Sequence, residues 1–336
     1  MATIRDVARQ AQVSTATVSA TLNSTAYVSP DLKARVLAAV ESLGYAPSGI
    51  AKSLKTGKTR LLAVIAADVS NPFFTQLTNA LEAAAYDRGY SLILCNSDEN
   101  FERERHHLNL VRAQRCDGLV LSPTGDPDAY KVAGLGSFAM PTVLIDRVLD
   151  FWKADSVTID NESAAFQATN YLLDLGHTRV GTISGPSHVT TGAGRLAGFR
   201  NALAARGVAS NQNYLRSGDF REDAAYSAMR EMLALKPPPT AIYVANNLML
   251  IGVMRAVAEA GFICPKDISV VSTDDFNWST AFRPQLTTVR QPVREMGLEA
   301  VRLLVDRITR NGAEPARRLV LQPTLIVRES CAPIRS

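Results

Sequence analysis

The 336 residues include only four cysteines, four histidines and two tryptophans, and no uninterrupted apolar stretch is long enough to span a bilayer. Cys95, Cys116, Cys264 and Cys331 are scattered in apolar surroundings and read as reduced core residues, which argues against a disulfide-stapled secreted chain. His106 and His107 would diverge on a helix, and no histidine pairs with a cysteine at metal spacing, so no metal site is expected. Phosphate-binding glycines are missing as well. Gly57-Lys58-Thr59 mimics the end of a phosphate loop, but Lys52 stands where its first glycine must be; Gly192-Ala193-Gly194 is followed by Ala197 where a dinucleotide fingerprint needs its third glycine. Without a Gly-x-Ser-x-Gly elbow, a triad or a carboxylate pair, the chain is expected to be no enzyme and to need no cofactor. The absence of an export signal predicts a cytoplasmic protein.

What is present begins at Thr3. Thr3 and Asp6 have the spacing of a capping box ahead of a helix that puts Ile4, Val7, Ala8 and Ala11 on one face. A turn through Gln12 and Val13 leads to Ser14, the expected cap of a second helix. Val18 and Leu22 point inward there, while Thr15, Ala16, Thr17, Ser19 and Ala20 form a small polar outer face. Such a face approaches base edges closely, since hydroxyls bond bases or phosphates and methyls meet thymine. Ser29 and Pro30 open a third helix with Leu32, Val36, Leu37, Val40 and Leu43 inward, closed by Gly44. Charge agrees. Residues 1–60 carry eight Lys or Arg against three acids, a net +5 in a chain of +4 overall, so the remainder sums to −1. The positive excess sits where phosphate attraction is needed.

Pro47 to Gly57 is too short to be a stable helix alone and reads as a linker that folds on DNA, with Leu54 as a minor-groove wedge and Lys52 and Lys55 on phosphates or groove edges. From Arg60 onward apolar runs alternate with amphipathic ones: Leu61–Ala67, Thr75–Arg88, Leu92–Cys95, Glu102–Gln114, Gly118–Leu121 and Thr142–Ile145. The pattern restarts from Asn161 and ends in a strand over about Arg318–Val327. This is βαβ grammar, and some 275 residues of it predict two α/β lobes of parallel sheet. A ligand in such a fold binds beyond the carboxyl ends of the strands, between lobes. Those ends carry Asp68 to Phe74, Asp146-Arg147, Asp160, Gly185 to Arg195, Gly218 to Phe220, Asn246-Asn247 and Asp274 to Trp278. Bidentate donors, carboxylates and aromatic faces among them suit a polyhydroxyl ligand.

With Thr3 to Ala8, Val13 to Asn23, Gly44 to Pro47, Ala51 to Lys55, Asn71-Pro72-Phe73-Phe74, Gly192 to Phe199 and Leu286 to Pro292 in view, the chain resembles, over its full length, the lactose-repressor family of bacterial transcription regulators. The resemblance implies an α/β protein: an N-terminal all-α helix-turn-helix domain (1–46), a hinge (47–58), and a two-lobed periplasmic-binding-protein-like core (59–336). The N-lobe would take about 59–160 plus 292–320, the C-lobe about 161–291 plus 321–336. It places DNA contacts on Thr3, Ser14, Thr15, Ala16, Thr17, Ser19, Ala20, Asn23, Tyr45, Ser48, Ala51, Lys52, Leu54 and Lys55. Effector contacts fall on Phe73, Phe74, Thr191, Arg195, Phe220, Asn246 and Asp274, to which the strand-end reading adds Asp146 and Trp278. Arg195 and Asp274 are expected to close opposite sides of one crevice.

Three departures stand out. Gln12 replaces a turn glycine, Ala20 and Ala26 replace polar or basic base readers, and Val189 stands where purine-binding relatives carry an arginine two residues before Thr191. A sugar or sugar acid is therefore expected rather than a purine. The partners implied are a palindromic DNA operator, that effector and a second copy of the chain, with no membrane. Only Arg328–Ser336 follow the last strand, so a homodimer is expected. A solute-binding sensor or an NAD-dependent enzyme of similar core is the alternative; the former would begin with an export signal and the latter needs the missing glycines.

Overall fold

Thr3 starts the first element. Its N–H donates to Asp6 Oδ2 at 2.9 Å and its Oγ1 accepts from the Asp6 N–H at 3.4 Å, a closed capping box, and α1 runs Ile4–Ala11. The structure, a computed structural model, describes residues 2–46, 57–135, 140–276, 278–310 and 315–334, and forms two compact units, Met1–Thr59 and Arg60–Ser336. In the first unit α2 (Thr15–Asn23) and α3 (Pro30–Ser42) complete a small core of Val7, Ala8, Ala11, Val18, Val36 and Ala39. Leu37, expected inside α3, is 47% exposed. It lies one residue beyond Val36, about 100° around the helix from the stripe formed by Val36, Ala39 and Val40. The proposed hinge residues Ser48, Ala51, Lys52, Leu54 and Lys55 lie outside the described residues.

The larger unit is built from two sheets, one parallel throughout and one parallel except for its last strand. The first half contains β1 (Leu61–Ala66), α4 (Pro72–Tyr86), β2 (Ser91–Asn96), α5 (Phe101–Ala113), β3 (Gly118–Leu121), α6 (Pro127–Val132), β4 (Thr142–Ile145) and β5 (Asp155–Ile159). In β1, Leu62, Val64 and Ala66 join one core cluster while Ala63 and Ile65 join another. Burial on both faces is why this strand reads as an unbroken apolar run rather than an alternation. The chain then crosses to the second lobe: α7 (Asn161–Asp174), β6 (Val180–Ser184), α8 (Thr190–Ala205), β7 (Leu215–Ser217), α9 (Glu222–Leu233), β8 (Ala241–Val244), α10 (Asn247–Glu259), β9 (Ser269–Thr273) and β10 (Thr287–Arg290). It returns through α11 (Val293–Thr309) and β11 (Arg318–Leu321), and crosses a third time to β12 (Thr324–Ile326).

The sheet orders are β11-β5-β4-β3-β1-β2 and β12-β10-β9-β8-β6-β7. The single terminal strand expected over Arg318–Val327 is in fact two. β11 lies parallel to β5 in one lobe and β12 antiparallel to β10 in the other, with Pro323, which cannot donate to a ladder, in the break. α8 also starts a turn before Arg195, taking Gly192 and Gly194 into its first turns.

Candidate functional site

Two regions carry the candidate residues. In the first unit Ser14 caps α2, its Oγ accepting from the Thr17 N–H at 3.1 Å and lying 2.9 Å from Thr17 Oγ1. Asn23 Nδ2 donates to Ser19 O at 2.9 Å. Thr15, Ala16 and Asn23 are exposed, and Thr17, Ser19 and Ala20 half-buried, so the start of α2 presents a low, small-residue surface. Tyr45 instead packs against the three-helix core. Arg35 is committed structurally: its Nη2 donates to Ala11 O at 2.5 Å and closes the end of α1. Gln12, which caps that helix, has φ 52°, a left-handed conformation that costs a non-glycine residue about 1 kcal/mol.

In the core, the strand ends converge on one gap lined by Asn71, Phe73, Phe74, Glu99, Asp146, Arg147, Thr191, Arg195, Phe220, Asn246, Asp274 and Gln291. Eight of the nine expected effector residues meet there. Trp278 does not: it joins an aromatic cluster, its ring centroid 3.6 Å from Phe276 and 5.4 Å from Phe282. Nor do Arg195 and Asp274 face each other from opposite sides. Both belong to the second lobe, on α8 and after β9, and the opposing wall is supplied by Asn71, Phe73, Phe74, Glu99, Asp146 and Arg147.

Local backbone explains the convergence. Asn71 and Asn246 start helices α4 and α10 as caps, accepting from Phe73 N–H and Met249 N–H, each at 2.9 Å. Of the ten non-glycine residues with positive φ among those described, four line the crevice, Glu99, Asp146, Phe220 and Asp274, and two more, Asp98 and Asp219, directly precede Glu99 and Phe220. Strain concentrates where side chains must turn back over the strand ends. Gly185 makes room for one of them, since a Cβ there would stand 2.2 Å from the Phe220 ring.

Glu99 was not singled out in the sequence, and Arg147 only as one of the strand-end residues, yet the two fill the centre. Arg147 is 3% exposed; its two terminal nitrogens donate to the Glu99 carboxylate at 2.5 and 2.7 Å, Nη1 also reaches Pro123 O at 3.2 Å, and its guanidinium carbon lies 5.4 Å from the Phe220 ring centroid. Fully buried Glu104 fixes the Pro123 loop by accepting from the Thr124 N–H and hydroxyl at 2.8 and 2.7 Å, and from the Tyr130 hydroxyl. Arg195 donates from Nε to Asn161 Oδ1 at 2.8 Å and from Nη1 to Ala245 O at 2.7 Å, and Gln291 Nε2 donates to Asp274 Oδ1 at 2.5 Å. The signal for Arg147 and Gln291 was position alone, each following a strand directly or by one residue.

Electrostatics mark the same residues. Burial pushes the Asp146 carboxyl up to about 6, against the pull of Arg147 and Arg195, and burial raises Asp274 as well, against Arg195 and the Gln291 hydrogen bond. Buried Arg147 Nε, Thr191 Oγ1 and Gln291 Oε1 line the gap without a hydrogen-bond partner. Arg147 Nε has only the Asp146 carboxylate at 3.5 Å. The free volume, about 20 Å³, is of the order one water needs (~10–15 Å³) and far below the ~300 Å³ of ligand pockets. The lobes are closed on each other. A larger hollow of about 640 Å³ lies beside β10 and α11, but its Asp275 is already taken by Arg290 and Arg328, so the strand-end gap is the better ligand site.

Residues 169–331 match a periplasmic binding protein-like domain, and residues 3–48 match the bacterial regulatory proteins of the lacI family. An HTH-type transcriptional repressor PurR of Photobacterium profundum is 36% identical over 331 residues, 98% of each chain. The chain belongs to the lacI family. Among solved structures, the lac repressor dimer bound to operator and the anti-inducer ONPF is 28% identical at a TM-score of 0.86, covering 98% of this chain and 99% of that one. A complex of the transcriptional regulator CelR with cellobiose is 32% identical at a TM-score of 0.72, covering 98% and 100%. This lacI-family chain is a DNA-binding transcriptional repressor with a ligand-binding core.

Proposed function

We propose that the protein is a homodimeric repressor, acting in the cytoplasm on nucleoid DNA, whose hold on a near-palindromic operator is switched by a small neutral polyhydroxyl compound of the sugar class bound between the lobes. The observation that carries this reading is the set of three unpartnered buried polar atoms, Arg147 Nε, Thr191 Oγ1 and Gln291 Oε1, around one gap. Buried polar groups are nearly always satisfied, so three orphans at one place await a hydrogen-bonding ligand. Phe73 and Phe220 supply apolar faces. The charged lining holds two guanidinium groups, of Arg147 and Arg195, against the three carboxylates of Glu99, Asp146 and Asp274. A fourth carboxylate on the ligand would meet repulsion, which favours a neutral sugar over a sugar acid. The cellobiose complex of the CelR neighbour supports a saccharide.

Closure of the lobes around the ligand changes the spacing of the two linkers in a dimer, and with it the ability of Leu54 and its partner copy to wedge the operator centre. The likeness to PurR repressors favours a second reading, a purine effector, which Val189 in place of the purine-branch arginine opposes. No catalytic role is assigned to any residue.

The test is a thermal-shift screen of the full chain against neutral sugars, sugar acids, nucleosides and purines, followed by titration of a palindromic duplex with and without the best hit. A ligand at a hundred times its Kd adds about 2.7 kcal/mol of stability. The reading requires the best hit to be a neutral sugar and to move duplex affinity at least tenfold; a purine as best hit replaces it with the second reading.

A further inference from the structure

Beside the closed gap lies a second cavity of about 220 Å³, bordered by Lys131, Asp150 and Phe151 from one lobe, by His188 and Val189 from the other, and by Arg147, which also lines the first gap. We propose that this cavity is an outer subsite of the effector site, taking the second ring of a disaccharide-sized polyhydroxyl ligand whose first ring sits between Phe73 and Phe220. The proposal rests on the saccharide reading of the crevice.

Three observations carry it. The two spaces share Arg147 as a wall and lie between the same two lobes, so the parting that admits a ring to the inner gap opens the outer one too. Thr190 Oγ1 accepts from the Val148 N–H across this seam at 3.2 Å, a neutral contact that the parting breaks.

The lining chemistry is that of a sugar subsite. The half-buried Phe151 ring is held by Tyr130, centroids 6.3 Å apart, with Lys131 Nζ 5.8 Å from its centre. An aromatic face beside a few donors and acceptors of both signs matches a ring with an apolar face and peripheral hydroxyls. Lys131 is already paired with Asp128 at 2.8 Å, so the cavity has no surplus cation cluster of the kind a phosphate group demands.

The third observation is the wall at α8. Its N-cap, Val189, makes no side-chain hydrogen bond, which leaves first-turn backbone donors for hydroxyl oxygens. The same short apolar side chain keeps the space open; a long basic residue at this position would fill it.

The experiment is calorimetric titration of the full chain with matched probes: glucose against cellobiose and maltose, galactose against lactose and melibiose, and glucose 6-phosphate. The proposal expects at least one disaccharide to bind ten times or more tighter than its own monosaccharide. Phe151→Ala should cost that disaccharide tenfold or more while leaving the monosaccharide within twofold, which also shows that the variant folds. Equal binding of the pair, equal losses for both sugars, or a gain seen only with glucose 6-phosphate overturns the outer subsite and leaves the inner one standing. Binding of none of these sugars removes the saccharide reading itself, and the subsite with it.

Discussion

Arg221, ahead of α9 in one lobe, grips Asp98, after β2 in the other: Nη2 lies 2.7 Å from the Asp98 carbonyl oxygen and Nη1 3.0 Å from its carboxylate, with Asp68 at 3.4 Å. Each partner adjoins a left-handed pair, Asp98–Glu99 (φ 53° and 53°) and Asp219–Phe220 (φ 49° and 58°), immediately beyond the edge strand of its sheet. The clasp therefore joins corresponding points of the two lobes and holds them shut. Because Arg221 and Asp98 are each more than a third exposed, the pair is worth at most about 1 kcal/mol. Arg221→Ala should speed hydrogen exchange in residues 96–100 and 218–222 while lowering Tm by no more than roughly 4 °C. Unaltered exchange in both segments would show that the clasp restrains nothing.

Glu99 holds the Arg147 guanidinium, one of the two buried guanidinium groups that line the gap. Glu99→Gln leaves the Arg147 charge without its bidentate partner, a change expected to cost about 3–5 kcal/mol in urea unfolding. The double variant Glu99→Gln with Arg147→Met should recover much of that loss. If the single variant falls within 1 kcal/mol of wild type, with the ~1 ± 0.5 kcal/mol of an ordinary hydrogen bond as the yardstick, the pair is not the organiser described here.

Asp146 gives the fold a signed pH dependence. Its carboxyl is raised from 3.8 to about 6 by burial, so the folded chain binds this proton more tightly than the unfolded one. Its contribution to stability is complete below 3.8, is lost as pH rises through 3.8 to 6, and stays lost above. Asp146→Asn removes the penalty: it should stabilise the core by up to about 3 kcal/mol at pH 7.5, less whatever its contact with Arg147 contributes, and by little at pH 4. Thermal unfolding at the two pH values measures it. A variant that is less stable at pH 7.5 than at pH 4, relative to wild type, reverses the assigned sign.

The turn of the amino-terminal unit is strained at Gln12. Gln12→Gly should raise the stability of that unit by about 0.5–1 kcal/mol, because glycine adopts φ 52° without the Cβ clash, partly offset by its unfolded-state entropy. Denaturation of the isolated residues 1–59, or loss of the helical signal assigned to them in the full chain, reports the change; a loss of stability would mean the Gln12 side chain makes a contact that outweighs the strain.

How much of this was legible depended on what each signal measures. Capping residues and helical periodicity carried α1 to α3, because Thr3, Ser14 and Pro30 act on their own local backbone. Buried strands such as β1 were readable from their apolar runs. β5 (Asp155–Ile159), β7 (Leu215–Ser217) and α6 were passed over as short elements with few apolar residues in register, and α11 was not drawn although its helical stripe includes Met296, Ala300, Val301 and Leu304. The third lobe crossing at Gln322–Pro323 is set by pairing with distant β5 and β10, which no local window contains. At the site, the eight residues named from strand ends and family motifs surround one gap. The strand-end rule missed Glu99 because β2 is an edge strand whose following loop turns inward only through two left-handed residues, and it admitted Trp278 because an aromatic after β9 is as able to pack on Phe276 as to face a ligand.

The central claim is that the strand-end gap is where a sugar acts on operator binding, and the most direct measurement is calorimetric titration of the full chain with the best neutral sugar from the screen, in wild type, Arg195→Ala and Asp274→Asn. Loss of either partner should leave ligand hydroxyls unpaired and cost about 1.5–3 kcal/mol or more, tenfold or greater in Kd, while affinity for the duplex without sugar stays within threefold. Binding of the sugar by both variants as tightly as by wild type would contradict the assignment.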